Sequence, residues 1–223
     1  MTGPTGNRRY ELVVFDWDGT LMDSAELIVA SLLAACRDIG IEEPSRERAR
    51  HIIGLGLKDA IEYALPTLPP SRYRELADRY RVHFTARDAA LPMFAGVDAL
   101  LAELNERGHY VAVATGKSRS GLERAMDHTA TRTHFHATRC ADESFPKPHP
   151  GMLLDLMDRL GVAPAATLMI GDTTHDLDMA GNAGVASVGV SYGAHPRDEL
   201  LLRGPLACVD DIDSLALWLR QNA

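Results

Sequence analysis

The chain has 223 residues and a mass of 24.3 kDa, a length that suits one large domain or two modest ones. Hydrophobic residues make up 46% and charged residues 24%, which excludes a disordered or collagen-like chain. The net charge of −8 disfavours a surface for nucleic acid or anionic membrane, because their phosphates would be repelled. A single phosphate can still be bound locally, so some of the carboxylates can serve chemistry.

Short apolar runs recur along the chain and predict buried strands. The first occupies 12–15, and it ends abruptly at Asp16. Similar runs lie at 110–114, 167–170 and 186–190, with a weak one at 208–209. Runs without polar alternation are typical of strands that are covered on both faces. Helical patterns separate them, and this alternation predicts an α/β fold whose parallel sheet is sandwiched by helices.

The segment 22–92 breaks this alternation, because it contains helical patterns and no convincing strand. The patterns lie at 24–39, 45–54, 57–65 and 71–87. Asp23 or Ser24 can cap the first, Ser45 the second and Ser71 the fourth. Roughly seventy residues are far more than a loop between a strand and a helix needs. We therefore predict an all-helical domain at 22–92, inserted into a core formed by 1–21 and 93–223. Residues 1–9 are predicted to be a loose tail.

Four segments near the predicted strand ends carry reactive side chains. These segments are Asp16-x-Asp18-Gly19-Thr20, Thr115-Gly116-Lys117-Ser118, Lys147-Pro148-His149-Pro150 and Gly171-Asp172-x-x-x-Asp176. Ligands of open α/β sheets bind where the carboxyl ends of the strands meet. Each segment alone has a simpler interpretation, since Asp-Gly after a strand is often only a turn and a lone lysine is usually at the surface. The presence of all four segments in this order along the chain indicates one site.

These motifs resemble the haloacid dehalogenase superfamily, specifically its phosphatase branch with a helical cap inserted after the first motif. The match runs from about Tyr10 to the C-terminus, and Trp17 is a mild departure from the usual Phe or Leu. The later segments 180–185 and 192–193 are similar to the phosphoglycolate-phosphatase-like group. The resemblance implies a Rossmann-like core on which the segment 22–92 forms the cap.

The resemblance also implies catalytic roles for the residues of the motifs. Asp16 would be the nucleophile that forms an aspartyl-phosphate, and Asp18 would be the acid and base for the leaving oxygen and the water. The Thr115 hydroxyl and nearby backbone N–H groups, including that of Gly116, would hold phosphoryl oxygens. Lys147 would neutralise charge on the nucleophile and on the phosphoryl group.

A Mg²⁺ ion is the cofactor that the resemblance implies. Its ligands would be a carboxylate oxygen of Asp16, the backbone carbonyl of Asp18 and the carboxylate of Asp172, a set of oxygen ligands that suits Mg²⁺. Asp176 would orient Lys147 or a metal-bound water.

Three further residues are candidates for reading the substrate. Gly54 lies in a Gly-x-Gly segment of the cap, which in the resembled family faces the active site, and Lys58 follows it as a candidate for an anionic tail. Lys117 lies beside the second motif. The simpler interpretation is a helix end with a flexible turn at Gly54 and an exposed lysine at position 58.

The function that we expect is Mg²⁺-dependent hydrolysis of a small, phosphoglycolate-like phosphomonoester. Asp18 favours phosphoester chemistry, because the dehalogenases and phosphonate-cleaving relatives lack this carboxylate. A sugar-phosphate phosphomutase and an inorganic pyrophosphatase remain alternatives. A phospho-aspartate signalling domain fits less well, because such domains have no large insertion after the first strand. The expected partner is a small phosphorylated metabolite, with no nucleic acid or membrane, and the oligomeric state is open.

The three cysteines, Cys36, Cys140 and Cys208, are far apart and form no C-x-x-C pair. This pattern is typical of a reducing compartment without a disulfide framework. The first residues have no apolar signal-peptide stretch, and the run at 27–36 is too short to span a bilayer. We therefore expect a cytoplasmic protein.

Overall fold

The computed structural model describes residues 9–223, so the predicted loose tail lies outside the described residues except for Arg9. The strands of this part are β1 Leu12–Phe15, β2 Tyr110–Thr115, β3 Ala137–Cys140, β4 Thr167–Gly171, β5 Ala186–Val190 and β6 Ala207–Val209. The α-helices are α1 Ala25–Asp38, α2 Arg46–His51, α3 Leu57–Ala64, α4 Tyr73–Thr85, α5 Val97–Glu106, α6 Arg119–Thr129, α7 Gly151–Leu160, α8 Thr174–Asn182, α9 Arg197–Leu201 and α10 Ile212–Asn222.

The six strands form one parallel sheet in the order β3-β2-β1-β4-β5-β6. Strand β1 lies near its centre, where Val13 pairs with Val111 of β2 and with Leu168 of β4. In this doubly wound order, successive strands are added first on one side of β1 and then on the other. The carboxyl ends of β1, β2 and β4 therefore lie side by side at this switch point. The predicted α/β class with a Rossmann-like parallel sheet is confirmed.

The two faces of the sheet explain why β1 is continuously apolar. Val13 and Phe15 belong to one buried cluster, to which α5, α6 and α10 contribute. Leu12 and Val14 belong to another, formed with α7 and α8. Because both faces of the strand are buried, each of these side chains contributes roughly 1.5–3 kcal/mol to the free energy of unfolding.

Helices α1–α4 occupy the chain between β1 and β2, where the sequence predicts helices. Ser45 caps α2 by accepting a hydrogen bond from the backbone N–H of Arg48. Ser71 does not cap α4 as expected, because it lies in a 3-10 turn at Pro70–Arg72 and α4 begins at Tyr73. The buried side chains of these helices form an apolar cluster separate from those of the sheet, and Ala194 joins it. The division into cap and core at 22–92 stays a prediction.

Among the described residues no helix has the length and apolar character needed to cross a membrane. The cysteines at positions 36, 140 and 208 are buried and unpaired.

Candidate active site

The carboxyl ends of three neighbouring strands meet at a buried group of charged side chains. Asp16 follows β1, Thr115 is the last residue of β2, and Asp172 follows β4. Lys147 comes from the connection between β3 and α7 and reaches the same point. Three of the four sequence segments thus meet where the sheet topology places them, and the loop that follows β3 supplies the fourth.

Asp16 is completely buried, and its two carboxylate oxygens have different surroundings. Oδ1 accepts hydrogen bonds from the backbone N–H of Trp17 at 2.6 Å and lies 2.9 Å from Nζ of Lys147. Oδ2 is buried and has no hydrogen-bond partner. Burial raises the pKa of Asp16, Lys147 opposes this shift, and the charges of Asp176 and Asp172 add to it. One oxygen is therefore left open to a ligand.

Lys147 lies between two carboxylates. Its Nζ donates to Oδ1 of Asp176 at 2.6 Å as well as contacting Asp16. The other oxygen of Asp176 accepts from the hydroxyl and the backbone N–H of Thr173, at 2.7 and 3.1 Å, and so caps α8. Burial lowers the pKa of Lys147, but the charges of Asp16 and Asp176 outweigh it and hold the pKa above its ordinary value. Asp176 therefore fixes the position of the ammonium group.

Asp172 is held by neutral donors. Its Oδ1 accepts from the hydroxyl of Thr20 at 2.7 Å, and its Oδ2 accepts from the backbone N–H of Ala194 at 2.8 Å. Burial and the charge of Asp176 raise its pKa to about 7. Two glycines make room for it, because a Cβ at Gly19 or Gly193 would collide with the carboxylate, and Gly19 also has a φ of +80°.

The carboxylates of Asp16, Asp172 and Asp176 each offer one oxygen, and these oxygens lie within 4.8 Å of one another. In the ionised state, three negative charges face the single positive charge of Lys147, which is costly in a buried site. The unpartnered Oδ2 of Asp16 points to where another cation is needed. Carboxylate oxygens are ligands that Mg²⁺ prefers, so these residues fit the expected ion.

Asp18 lies beside this group, in the connection between β1 and α1. Its Oδ1 accepts from the hydroxyl of Ser24 at 2.6 Å and lies 2.9 Å from Nζ of Lys117. The same Nζ lies 4.7 Å from the ring centroid of Phe84 on α4. Lys117 thus connects Asp18 to an aromatic side chain of the insertion.

A loop of the insertion lies directly over Asp16. A Cβ on Gly54 would be 3.6 Å from Oδ2 of Asp16, and a Cβ on Gly116 would be 2.5 Å from the carbonyl oxygen of Gly54. Thr115 is buried below, where its hydroxyl accepts from the backbone N–H of Lys117 at 3.2 Å. The glycines at 54 and 116 therefore allow a close approach that larger residues would block.

The structure does not bring Lys58 to the carboxylates. Its side chain is 78% exposed and lies 3.7 Å from Glu62 one turn along α3. Sequence reasoning also missed residues that support the site: Thr20, Ser24 and Thr173. Thr20 lies inside the first motif and Ser24 lies four residues after it, so their closeness to Asp16 in the sequence was the available signal.

Three histidines lie where α2 contacts α8 and the loop after β5, and no spacing in the sequence predicted this group. Nε2 of His175 and Nε2 of His195 lie 2.9 and 3.1 Å from the carbonyl oxygen of His51 on α2. Nδ1 of His195 accepts from the backbone N–H of Thr174 at 3.0 Å. Burial lowers the pKa of His195 to about 4. Because both ring nitrogens of His195 already have partners, we interpret this group as a structural contact.

The fold and the site define a class of protein: a parallel α/β protein with buried carboxylates and one buried lysine at the carboxyl edge of its sheet. The sequence profile of the family described as "Haloacid dehalogenase-like hydrolase" matches residues 13–190. The chain therefore belongs to the haloacid dehalogenase-like hydrolase family, as the sequence motifs suggested.

Individual proteins show the same relationship. The chain is 38% identical over 205 residues to "Probable phosphatase IndB" of Dickeya dadantii, covering 89% of each chain. It is 34% identical over 216 residues to a "5'-nucleotidase" of Pseudomonas aeruginosa, covering 96% of this chain and 97% of the other. The crystal structure of "a predicted phosphatase" from Clostridium acetobutylicum superposes with a TM-score of 0.85 at 26% identity, covering 95% of this chain and 99% of that one.

Proposed function

We propose that this chain is a Mg²⁺-dependent phosphatase that hydrolyses a phosphomonoester through an aspartyl-phosphate at Asp16. The observation that carries the proposal is the carboxylate of Asp16, which is fully buried and has one unpartnered oxygen. Lys147, 2.9 Å from the other oxygen, supplies positive charge at the same point. The relatives named as a phosphatase and a 5'-nucleotidase support phosphate-ester chemistry for this site.

The first half of the reaction transfers the phosphoryl group to the enzyme. An oxygen of Asp16 forms a bond to phosphorus while the bond between phosphorus and the ester oxygen breaks. Asp18 donates a proton to the departing alcohol oxygen. Lys147, held by Asp176 at 2.6 Å, stabilises negative charge on the transferring group. The hydroxyl of Thr115 contributes a hydrogen bond to a phosphoryl oxygen.

The second half returns Asp16 to its free form. Asp18, now a carboxylate, takes a proton from a water molecule, and the water oxygen attacks phosphorus. The bond between phosphorus and Asp16 breaks, and inorganic phosphate leaves. The loop at Gly54, which lies over Asp16, limits the access of bulk water during these steps.

The residues that would hold Mg²⁺ are Asp16, Asp172 and the backbone carbonyl of Asp18. The ion supplies charge neutralisation between an anionic nucleophile and an anionic phosphoryl group. Thr20 and the backbone N–H of Ala194 position Asp172 for this role through the hydrogen bonds described above.

The test of the proposal is phosphate release from a panel of phosphomonoesters with Mg²⁺. Asp16→Asn is expected to abolish release, because an amide is a poor nucleophile, while Asp155→Asn removes an exposed carboxylate on α7 and should leave activity unchanged. Near-normal activity of Asp16→Asn would contradict the assignment of Asp16 as the nucleophile. Isomer formation without free phosphate would instead indicate a mutase, and turnover of pyrophosphate alone would indicate a pyrophosphatase. A long-lived aspartyl-phosphate without turnover would indicate a signalling domain.

A further inference from the structure

A cavity of about 640 Å³ lies between the helical insertion and the sheet, next to Asp18. We propose that it receives the leaving group of the substrate, and that this group is a bulky, uncharged, apolar alcohol, either alkyl or aryl. This inference rests on the proposed phosphatase function, because it assigns the part of the substrate that departs with the proton from Asp18.

The wall of the cavity is predominantly apolar and comes from the insertion. Aliphatic and aromatic side chains from all four of its helices or their ends face it, among them Leu32, Ile53, Leu55, Leu57, Tyr80 and Phe84. The rings of Tyr80 and Phe84 are stacked with centroids 5.7 Å apart, which gives the wall a flat aromatic portion. Such a surface stabilises an apolar group, because burying each methylene contributes favourable free energy.

The charges at the cavity argue against an anionic leaving group. Lys117 lies 2.9 Å from Asp18 at the cavity wall, where it balances the carboxylate that Asp18 becomes once it has given its proton to the departing alcohol. A carboxylate or a second phosphate entering this space would have to compete with Asp18 for Lys117. The penalty for burying a charge without a partner makes such substrates poor ligands.

The other cations that line the cavity are also paired with carboxylates. Lys58 lies 3.7 Å from Glu62, Arg81 lies 2.8 Å from Asp78, and Arg124 lies 3.3 Å from Asp88. These side chains are substantially exposed, so solvent screens them from an anion deep in the cavity. Two further carboxylates line the space, those of Asp59 and Asp142, and they add repulsion.

The volume of the cavity also argues for a bulky leaving group. Cavities of roughly 300–1,000 Å³ enclose drug-sized ligands, whereas the two-carbon group of phosphoglycolate would leave most of this space to water. Gly54 and Gly116 bring the insertion close to Asp16 at one end, so the phosphoryl group lies at that end and the remaining volume extends past Asp18. The structure thus favours a larger leaving group than the sequence suggested.

The experiment measures kcat/KM for a series of n-alkyl phosphates from ethyl to hexyl, together with benzyl phosphate, phosphoglycolate and pyrophosphate. The alkyl alcohols differ little in acidity, so chain length reports binding of the leaving group. We expect kcat/KM to rise about fourfold for each added methylene until the cavity wall is reached. Phosphoglycolate and pyrophosphate should be the poorest substrates.

A pair of leucine variants tests whether the preference for longer alkyl chains arises in the cavity. Leu57→Ser replaces an apolar side chain of the cavity wall and should reduce the preference for hexyl over ethyl phosphate by about tenfold. Leu154→Ser makes the same replacement at an exposed position of α7 and should leave that preference unchanged. An equal loss of preference in both variants would contradict the assignment.

The outcomes separate this inference from the function on which it rests. A flat response to chain length, or hydrolysis of phosphoglycolate at least as good as that of hexyl phosphate, overturns the leaving-group assignment while the phosphatase function stands. Turnover of pyrophosphate alone overturns both. Absence of turnover for every phosphate in the panel overturns both. A rise with chain length that Leu57→Ser reduces and Leu154→Ser preserves supports both.

Discussion

The carboxylate group around Asp16 and the cavity beside Asp18 adjoin each other, yet they are built on different physical principles. The first is buried and charged, and its members are fixed by hydrogen bonds of 2.6–3.1 Å. The second is spacious and largely apolar, and Lys117 contacts Asp18 at its wall. The difference matches the two proposals, in which phosphoryl transfer requires precise position and the choice of leaving group depends on volume and apolar surface. Substitutions in the two regions should therefore have different consequences.

After the loss of activity expected for Asp16→Asn, the largest expected effect comes from Lys147→Met. This variant removes the buried ammonium group between Asp16 and Asp176, so activity should fall by about 10³-fold for every substrate in the panel. Loss of one partner from a buried charge group should also lower the free energy of unfolding by about 3–5 kcal/mol. Steady-state kinetics and chemical denaturation measure the two effects.

A smaller loss of activity in the same charged region is expected from Asp176→Asn. It keeps the lysine but weakens the group that positions it, so we expect a smaller loss of kcat, about 10–100-fold, equal for short and long alkyl phosphates. A change of chain-length preference without a change of kcat would mean that the lysine belongs to the leaving-group cavity instead.

An intermediate effect is expected at the contact between the two regions. Gly116→Ala places a Cβ 2.5 Å from the carbonyl oxygen of Gly54, so the loop over Asp16 must move away. We expect kcat/KM to fall by about 10–100-fold, because small displacements at a reacting centre are costly. Gly181→Ala is the matched control, since a Cβ there meets nothing within 4 Å. Equal activity of the two variants would show that the approach of the loop is unimportant.

The smallest effect is expected at Lys58, the sequence candidate for an anionic tail. Its side chain is largely exposed and its contact with Glu62 is a surface ion pair. Lys58→Met should therefore change the free energy of unfolding by less than about 1 kcal/mol and leave kcat/KM for alkyl phosphates unaltered. A large and selective loss with phosphoglycolate would restore Lys58 as a substrate-reading residue.

The sequence predicted the chemical region better than the cavity. Asp16 and Asp18 directly follow an apolar strand, and Asp172 follows another, so local pattern and parallel topology suffice to bring them together. No apolar run in the sequence marks strand β3, because it lies at the sheet edge and two of its four residues, Thr138 and Arg139, are polar and partly exposed.

The cavity could not be predicted in the same way. Its wall combines single residues such as Leu32, Leu57 and Phe84, which belong to different helices and carry no common motif. Their apolar character is explained equally well by the core of the insertion, and only the packing of the helices shows that they also face a space beside Asp18. The pairing of Lys117 with Asp18 likewise depends on the fold.

The most direct test of the account is to locate the phosphoryl group on the enzyme. Asp18→Asn should slow the attack of water more than it slows phosphoryl transfer, so a phosphorylated form should accumulate after mixing with hexyl phosphate and Mg²⁺. Rapid acid quenching and peptide mass spectrometry are expected to place one phosphoryl group on Asp16. Phosphate on another residue, or turnover in a variant that lacks Asp16, would contradict the central claim.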